Sequence, residues 1–147
     1  MLDHFDPDKE NYISTLYSAH ASYRLYYHLI WGTKYRRPVL IEKVDSLLIQ
    51  IVTITCEKEG YRLLGIHVEP EHVHMLISLR PTHSIANIVN RIKGVTSRAL
   101  RSEFPELLSL VDENSLWADG YCAHTVGEAN VAQIKAYLDK QKVHHHG

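Results

Sequence analysis

The sequence predicts an α+β fold: a ferredoxin-like antiparallel sheet of βαββαβ order, with helices on one face and an extra C-terminal helix. Three observations lead there. Short stretches alternate apolar and polar residues with a period of two, longer stretches between them carry apolar residues at helical spacing, and the order is strand, helix, strand, strand, helix, strand, helix. A chain of 147 residues, 45% hydrophobic and 22% charged, has the size and make-up of a single globular domain.

Residues 1–22 hold Asp3, Asp6, Asp8 and Glu10, show little periodicity and read as an N-terminal arm. The run Tyr23–Lys34 (YRLYYHLIWGTK) is rich in aromatic and branched residues and predicts the first strand, ended by a turn at YRRP. Over Ile41–Glu59, the residues Val44, Leu47, Leu48, Ile51, Val52 and Thr55 share one helical face, and Gly60 stands where a helix stops. Tyr61–Val68 and His72–Leu79 predict two strands joined by the EPE turn as a hairpin. Pro81 closes that hairpin. Ser84 then caps a helix whose apolar positions Ile85, Ile88, Val89, Ile92, Ala99 and Leu100 run through Gly94. After an acidic loop, Leu116–Val126 reads as a fourth strand interrupted by Gly120, and Glu128–Lys142 as a last helix with Val131, Ile134 and Leu138 on its apolar side. The domain therefore spans 23–142. Residues 143–147 read as a tail of purification origin, and their histidines are kept out of the chemistry.

Charge and targeting narrow the function. No apolar run approaches the roughly 20 residues that span a bilayer, and the acidic N-terminus is unlike a signal peptide, so the expectation is a cytoplasmic protein with no membrane partner. Cys56 and Cys122 form neither a CxxC motif nor a disulfide framework and read as reduced residues. The net charge is −1, yet its distribution is uneven. Lys34, Arg36 and Arg37 follow one another with no acid between, as do Arg80, Arg91, Lys93, Arg98 and Arg101, whereas residues 103–119 hold acids and no base. Local patches of this kind, rather than the total, set the field that a polyanion meets.

The candidate chemistry lies on the third strand and the last helix. Alternation sends Val73, Met75, Ile77 and Leu79 to one face and His72, His74, Leu76, Ser78 and Arg80 to the other. The first set belongs against the helices. His72 and His74 then stand about 7 Å apart along the open face, near enough for both imidazoles to converge on one divalent metal. His28 and His67 face the same side if their strands register suitably. On the last helix Tyr137 and Gln141 are four residues apart and share a face, where the amide offers a neutral oxygen ligand and the phenol a nucleophile for phosphorus. Taken alone, the pair has two solvent-exposed histidines as its lesser alternative, whereas a tyrosine on such a helix is more often packed or partly exposed for structural reasons.

Together the segments are more specific. The blocks YYHLIWGTKYRRPVL, PEHVHMLI, SIANIVNRIKGVTSRALRSEFPEL, LWADGYCAHTVG and IKAYLDKQ, in that order, resemble the successive blocks of TnpA transposases of small single-strand insertion sequences, the IS200-like members of the HUH class with one catalytic tyrosine. The resemblance covers about Tyr23 to Gln141. In it His72, Val73 and His74 match the His-hydrophobic-His motif, and Tyr137 with Gln141 matches the tyrosine helix. The resemblance implies Mg2+ or Mn2+ held by His72, His74 and Gln141, and attack by Tyr137 on single-stranded DNA to leave a 5'-phosphotyrosine and a free 3'-hydroxyl. Two imidazoles with an oxygen ligand accept zinc as well, so the residue types do not choose the metal. It also implies recognition of hairpins at the element's ends, and a homodimer whose tyrosine helix acts in trans. DNA contacts would fall to Arg91, Lys93, Arg98, Arg101, Lys34, Arg36 and Arg37, with Tyr26, Tyr35, Trp117 and Tyr121 as candidates for base stacking and Trp31 for the core. Two rival readings use the same residues: a hairpin-binding module without catalysis, and a metal phosphoesterase in which the histidines activate water.

Overall fold

The computed structural model describes residues 25–111 and 115–146, with side chains through Lys140. The predicted arm, 1–22, and the side chains of the predicted tail lie outside the described residues. Four strands, β1 (Leu25–Gly32), β2 (Arg62–Glu69), β3 (His72–Leu79) and β4 (Cys122–Val126), form one sheet in the order β2-β3-β1-β4, every neighbouring pair antiparallel. Helix α1 (Val44–Glu59) links β1 to β2, and α2 (Ile85–Glu103) leads from β3 toward β4. A short turn of helix, α3 (Leu107–Leu110), lies in the segment expected to be an acidic loop, and α4 (Glu128–His146) follows β4. This is the predicted ferredoxin-like plan.

The pleat decides which face is dry. Val73, Met75, Ile77 and Leu79 of β3 bury against Leu29 and Trp31 of β1, Leu48 and Val52 of α1, and Ile88, Val89, Ile92 and Leu100 of α2. Each such aliphatic side chain contributes about 1.5–3 kcal/mol on burial, so this layer is the main source of cohesion. Ser84 caps α2 as expected, its side chain accepting from the Asn87 N–H.

The last helix runs past its expected end at Lys142 to His146, into the segment expected to be a tail, and two starts differ from expectation for a backbone reason. Helix α1 begins at Val44 instead of Ile41 because Glu42 (φ 43°) and Lys43 (φ 73°) are left-handed. β4 begins at Cys122 instead of Leu116 because Gly120 (φ 87°) turns the chain. Leu116 and Trp117 are drawn into the core instead, with a single bridge between Thr33 and Trp117. The Trp117 indole N–H donates to Thr96 Oγ1 at 2.9 Å, the Leu116 N–H donates to Ser97 Oγ at 3.1 Å, and the Trp117 ring meets Trp31 edge-on at 5.9 Å. Trp117 is thus a structural residue, as Trp31 is, and is withdrawn from base stacking. Among the described residues no helix is long and apolar enough to cross a membrane.

Thr96 is wholly buried, and its hydroxyl also donates to the Ile92 carbonyl at 2.7 Å. Thr96→Val keeps the shape and strands the Trp117 N–H, so it is expected to destabilise the fold by about 1–3 kcal/mol. Urea denaturation would show this as a lower midpoint at unchanged slope; an unaltered midpoint would count against the tie.

Candidate functional site

The other face of the sheet collects imidazoles. Register places His67 of β2 opposite His74 of β3, and His124 of β4 opposite His28 of β1, while His28 itself stands opposite Leu76, the next residue on the open face after His74. Residues opposite one another in a ladder share a face, so His28, His67, His72, His74 and His124 all lie on the side turned from α1 and α2. The predicted alignment of His28 and His67 with the pair is therefore met.

The nitrogen geometry is directional. His72 Nε2 and His74 Nε2 face each other at 2.9 Å. Behind them, His72 Nδ1 is 3.0 Å from Glu71 Oε1 and His74 Nδ1 is 3.1 Å from His28 Nε2. Deeper in, His67 Nε2 is 2.7 Å from Glu69 Oε1. Burial pushes the His74 pKa down to about 4, helped by His72, His28 and His67 and opposed by Glu69. Burial, with His124 beside it, lowers His28 as well. At neutral pH these rings are uncharged, the form in which imidazole binds a metal. A cation held at about 2.0–2.1 Å from two imidazoles in tetrahedral geometry needs its nitrogens about 3.3 Å apart, so the pair fits a divalent ion with a small adjustment. Among the described residues no three His, Cys, Asp or Glu side chains converge as a complete metal site. The pair is a half-site. Gln141, the third ligand implied by resemblance, lies in α4, and its side chain is outside the described residues.

Helix α4 lies over this same face. Leu138 is buried against Leu76 and Val126, with Tyr26, Leu64, Val131 and Ile134 around them, and a Cβ on Gly65 of β2 would stand 3.5 Å from Leu138 Cδ1. Tyr137 precedes Leu138 and is 58% exposed. Among the described residues it makes no hydrogen bond or ring contact with His72 or His74. Helix α4 is thus seated on the histidine face through Leu138, while the Tyr137 phenol is exposed to solvent.

The cations divide into two groups. Lys34, Arg36 and Arg37 sit on the turn after β1, where Tyr35 (φ 58°) and Arg36 (φ 54°) are left-handed, and Arg36 lines a cleft of about 440 Å³ with Glu71, His72, Asp119 and Tyr121. Lys93, Arg98 and Arg101 of α2 line a second cleft of about 310 Å³ against the loop Ser115–Gly120. Lys93 is committed there: its ammonium donates to the Ala118 and Gly120 carbonyls at 2.8 and 2.7 Å, and burial lowers its pKa against the pull of Asp119. Arg91 pairs with Glu59 at 3.1 Å on the surface. The structure brings Arg36 to His72 and keeps Arg91, Lys93, Arg98 and Arg101 apart from the pair. Sequence reasoning missed Glu71, although its place beside His72 in PEHVH was the available signal. It also missed the tie from Lys93, whose acceptors are far along the chain and carry no local signature.

Comparison with known proteins bears on the family and the fold. The family model described as "Transposase IS200 like" matches residues 21–141. The ISDra2 transposase TnpA of Deinococcus radiodurans is 36% identical over 119 residues, 81% of this chain and 85% of that protein. The transposase for insertion sequence element IS200 of Salmonella typhimurium is 29% identical over 123 residues, 84% of this chain and 80% of that protein. A crystal structure of a candidate transposase from Deinococcus radiodurans superposes with a TM-score of 0.68 at 38% identity, covering 82% of this chain and 93% of that one. The REP-associated tyrosine transposase bound to a REP hairpin shares the fold, with a TM-score of 0.60 at 15% identity over 85% of this chain and 72% of its own.

Low folded-state pKa values for His28 and His74 mean that the native state resists protonation that the unfolded chain accepts. For His74 this contribution to stability is complete above about pH 6.5 and is lost as the pH falls toward about 4, and His28 adds to it in the same direction. With chelator present, the urea midpoint is expected to drop between pH 7 and pH 4.5, and to drop less in His74→Asn. Equal losses in the two proteins would show that His74 does not carry the effect.

Proposed function

This chain belongs to the IS200-like transposase family, and from that premise we propose that it cleaves and rejoins single-stranded DNA at insertion-sequence ends, through a 5'-phosphotyrosine on Tyr137, at sites marked by end hairpins. The observation that carries the reading is the paired His72 and His74 Nε2 atoms on the open face, with the tyrosine helix lying over that face.

The residues have distinct tasks. Tyr137 Oη forms a bond to the scissile phosphorus as the bond to the 3'-oxygen breaks, and that oxygen leaves with a proton as a 3'-hydroxyl. The phosphodiester energy is kept in the tyrosyl linkage. The 3'-hydroxyl of another DNA end then attacks the same phosphorus, reforms a phosphodiester and returns the phenol, so joining needs no nucleotide energy source. His72, His74 and Gln141 would hold a Mg2+ or Mn2+ ion, which would supply Lewis-acid polarisation of the phosphate when bound. Arg36, in the cleft beside His72, is placed to neutralise backbone next to the reacting group, and Lys34 and Arg37 extend that patch. Arg98 and Arg101 offer charge to a more distant part of the strand or hairpin.

The working unit is proposed to be a homodimer in which the tyrosine helix acts in trans. Supporting this is the small attachment of α4: Leu76, Val126 and Leu138 form a cluster separate from the main core, and Gly127 joins the helix to β4.

Two experiments decide the matter. Labelled single-stranded hairpin DNA with Mn2+ is expected to yield a protein-linked product on a denaturing gel, absent with chelator. Tyr137→Phe is expected to bind the same DNA with no adduct; multiple turnovers without a linked product would favour the water-activating phosphoesterase, and chelator-resistant binding without cleavage a simple binding module. Mixing Tyr137→Phe with His72→Ala subunits is expected to restore cleavage in mixed dimers. Complete inactivity of verified mixed dimers would refute exchange of the helix.

A further inference from the structure

Neutral imidazole carries one proton on either of two nitrogens, and the choice decides whether Nε2 is a donor or a metal ligand. His72 and His74, left to themselves with their Nε2 atoms 2.9 Å apart, would close on one another through an N–H···N bond. That bond would consume one of the two lone pairs a cation needs. Each ring, however, has an acceptor at its back. Glu71 Oε1, 3.0 Å from His72 Nδ1, is a carboxylate oxygen that only accepts when ionised, so it holds the His72 proton on Nδ1. His28 Nε2, 3.1 Å from His74 Nδ1, does the same for His74 when its own proton is on Nδ1. The ring planes of His28 and His74 are 28° apart with centroids at 5.2 Å, the near-coplanar, head-on arrangement such a bond requires.

We propose that Glu71 and His28 are positioning residues that hold the protons of His72 and His74 on Nδ1, leaving both Nε2 lone pairs for a single divalent cation. This rests on the metal reading above and extends it to two residues outside the ligand set. The two backing groups differ in kind. Glu71 is adjacent to His72 in sequence, so their geometry is local. His28 is on another strand, offset by one face position from His74 in the β1–β3 ladder, so the His74 proton is fixed only when that ladder is in register. Groups that orient metal-binding imidazoles in this way typically change affinity by about 10–100-fold when removed.

The test is metal binding by the DNA-free protein, followed by calorimetric titration with Mn2+. His28→Phe fills the space with a ring that has no acceptor and is expected to weaken Mn2+ binding by about 10–100-fold. His28→Gln restores an acceptor oxygen and is expected to bind close to the wild type. Glu71→Ala should weaken binding and Glu71→Gln restore much of it. Wild-type affinity in His28→Phe, or a loss in His28→Gln as large as in His28→Phe, would overturn the assignment. Should His28→Phe fail to fold, long-range 15N–1H spectra of the metal-free wild type decide the point directly: protons on Nδ1 of both rings support it, and a proton on His74 Nε2 overturns it. Absence of Mn2+ binding in the wild type would sink the metal reading, and the same spectra would still judge the proton placement.

Discussion

The pleat of β3 is the constraint on which the rest depends. A strand turns alternate residues to opposite sides, so the eight residues His72–Leu79 build the middle of the dry core and the floor of the polar face at once. Shifting the strand by one residue would bury the imidazoles and expose Val73, Met75 and Ile77. The hydrophobic layer therefore fixes the aim of the histidines, and the site inherits its precision from packing to which it contributes nothing. Antiparallel neighbours on both sides extend that aim to His28 and His67.

What could be read in the sequence was what depends on short range. The helical face of α1, the cap at Ser84, the alternation of HVHMLISL and the four-residue spacing of Tyr137 and Gln141 are all local, and the structure has a helix or strand of the expected type at each. What could not be read depends on partners remote in the chain. Trp117 looked as available for stacking as Tyr121 until the fold brought it to Thr96 and Trp31. Lys93 looked like its neighbours on the basic helix until its ammonium met the carbonyls of Ala118 and Gly120. The starts of α1 and β4 moved at left-handed residues, and for Glu42 and Lys43 nothing in residue type announces that conformation.

Charge follows the same division. A net charge of −1 hides two cationic surfaces in different places. One, on the turn after β1, opens beside His72; the other lies along α2, behind the loop that Lys93 ties down. Ala118, Asp119 and Gly120 border both clefts, so this short loop is a common wall between the surface nearest the histidines and the surface offering Arg98 and Arg101. A nucleic acid spanning both would touch the wall from either side.

The two halves of the proposed chemistry are anchored with unequal strength. The imidazoles grow from β1 and β3, the inner strands of the sheet, each with a neighbour on both edges. The phenol rides on a helix seated by one small aliphatic cluster. Local openings begin where few apolar contacts hold, so amide hydrogens under α4 should be traded with solvent long before those of the inner strands. Were α4 to lift away and reseat, the strands that carry His72 and His74 would keep their place, whichever role the proposed reaction gives to Tyr137.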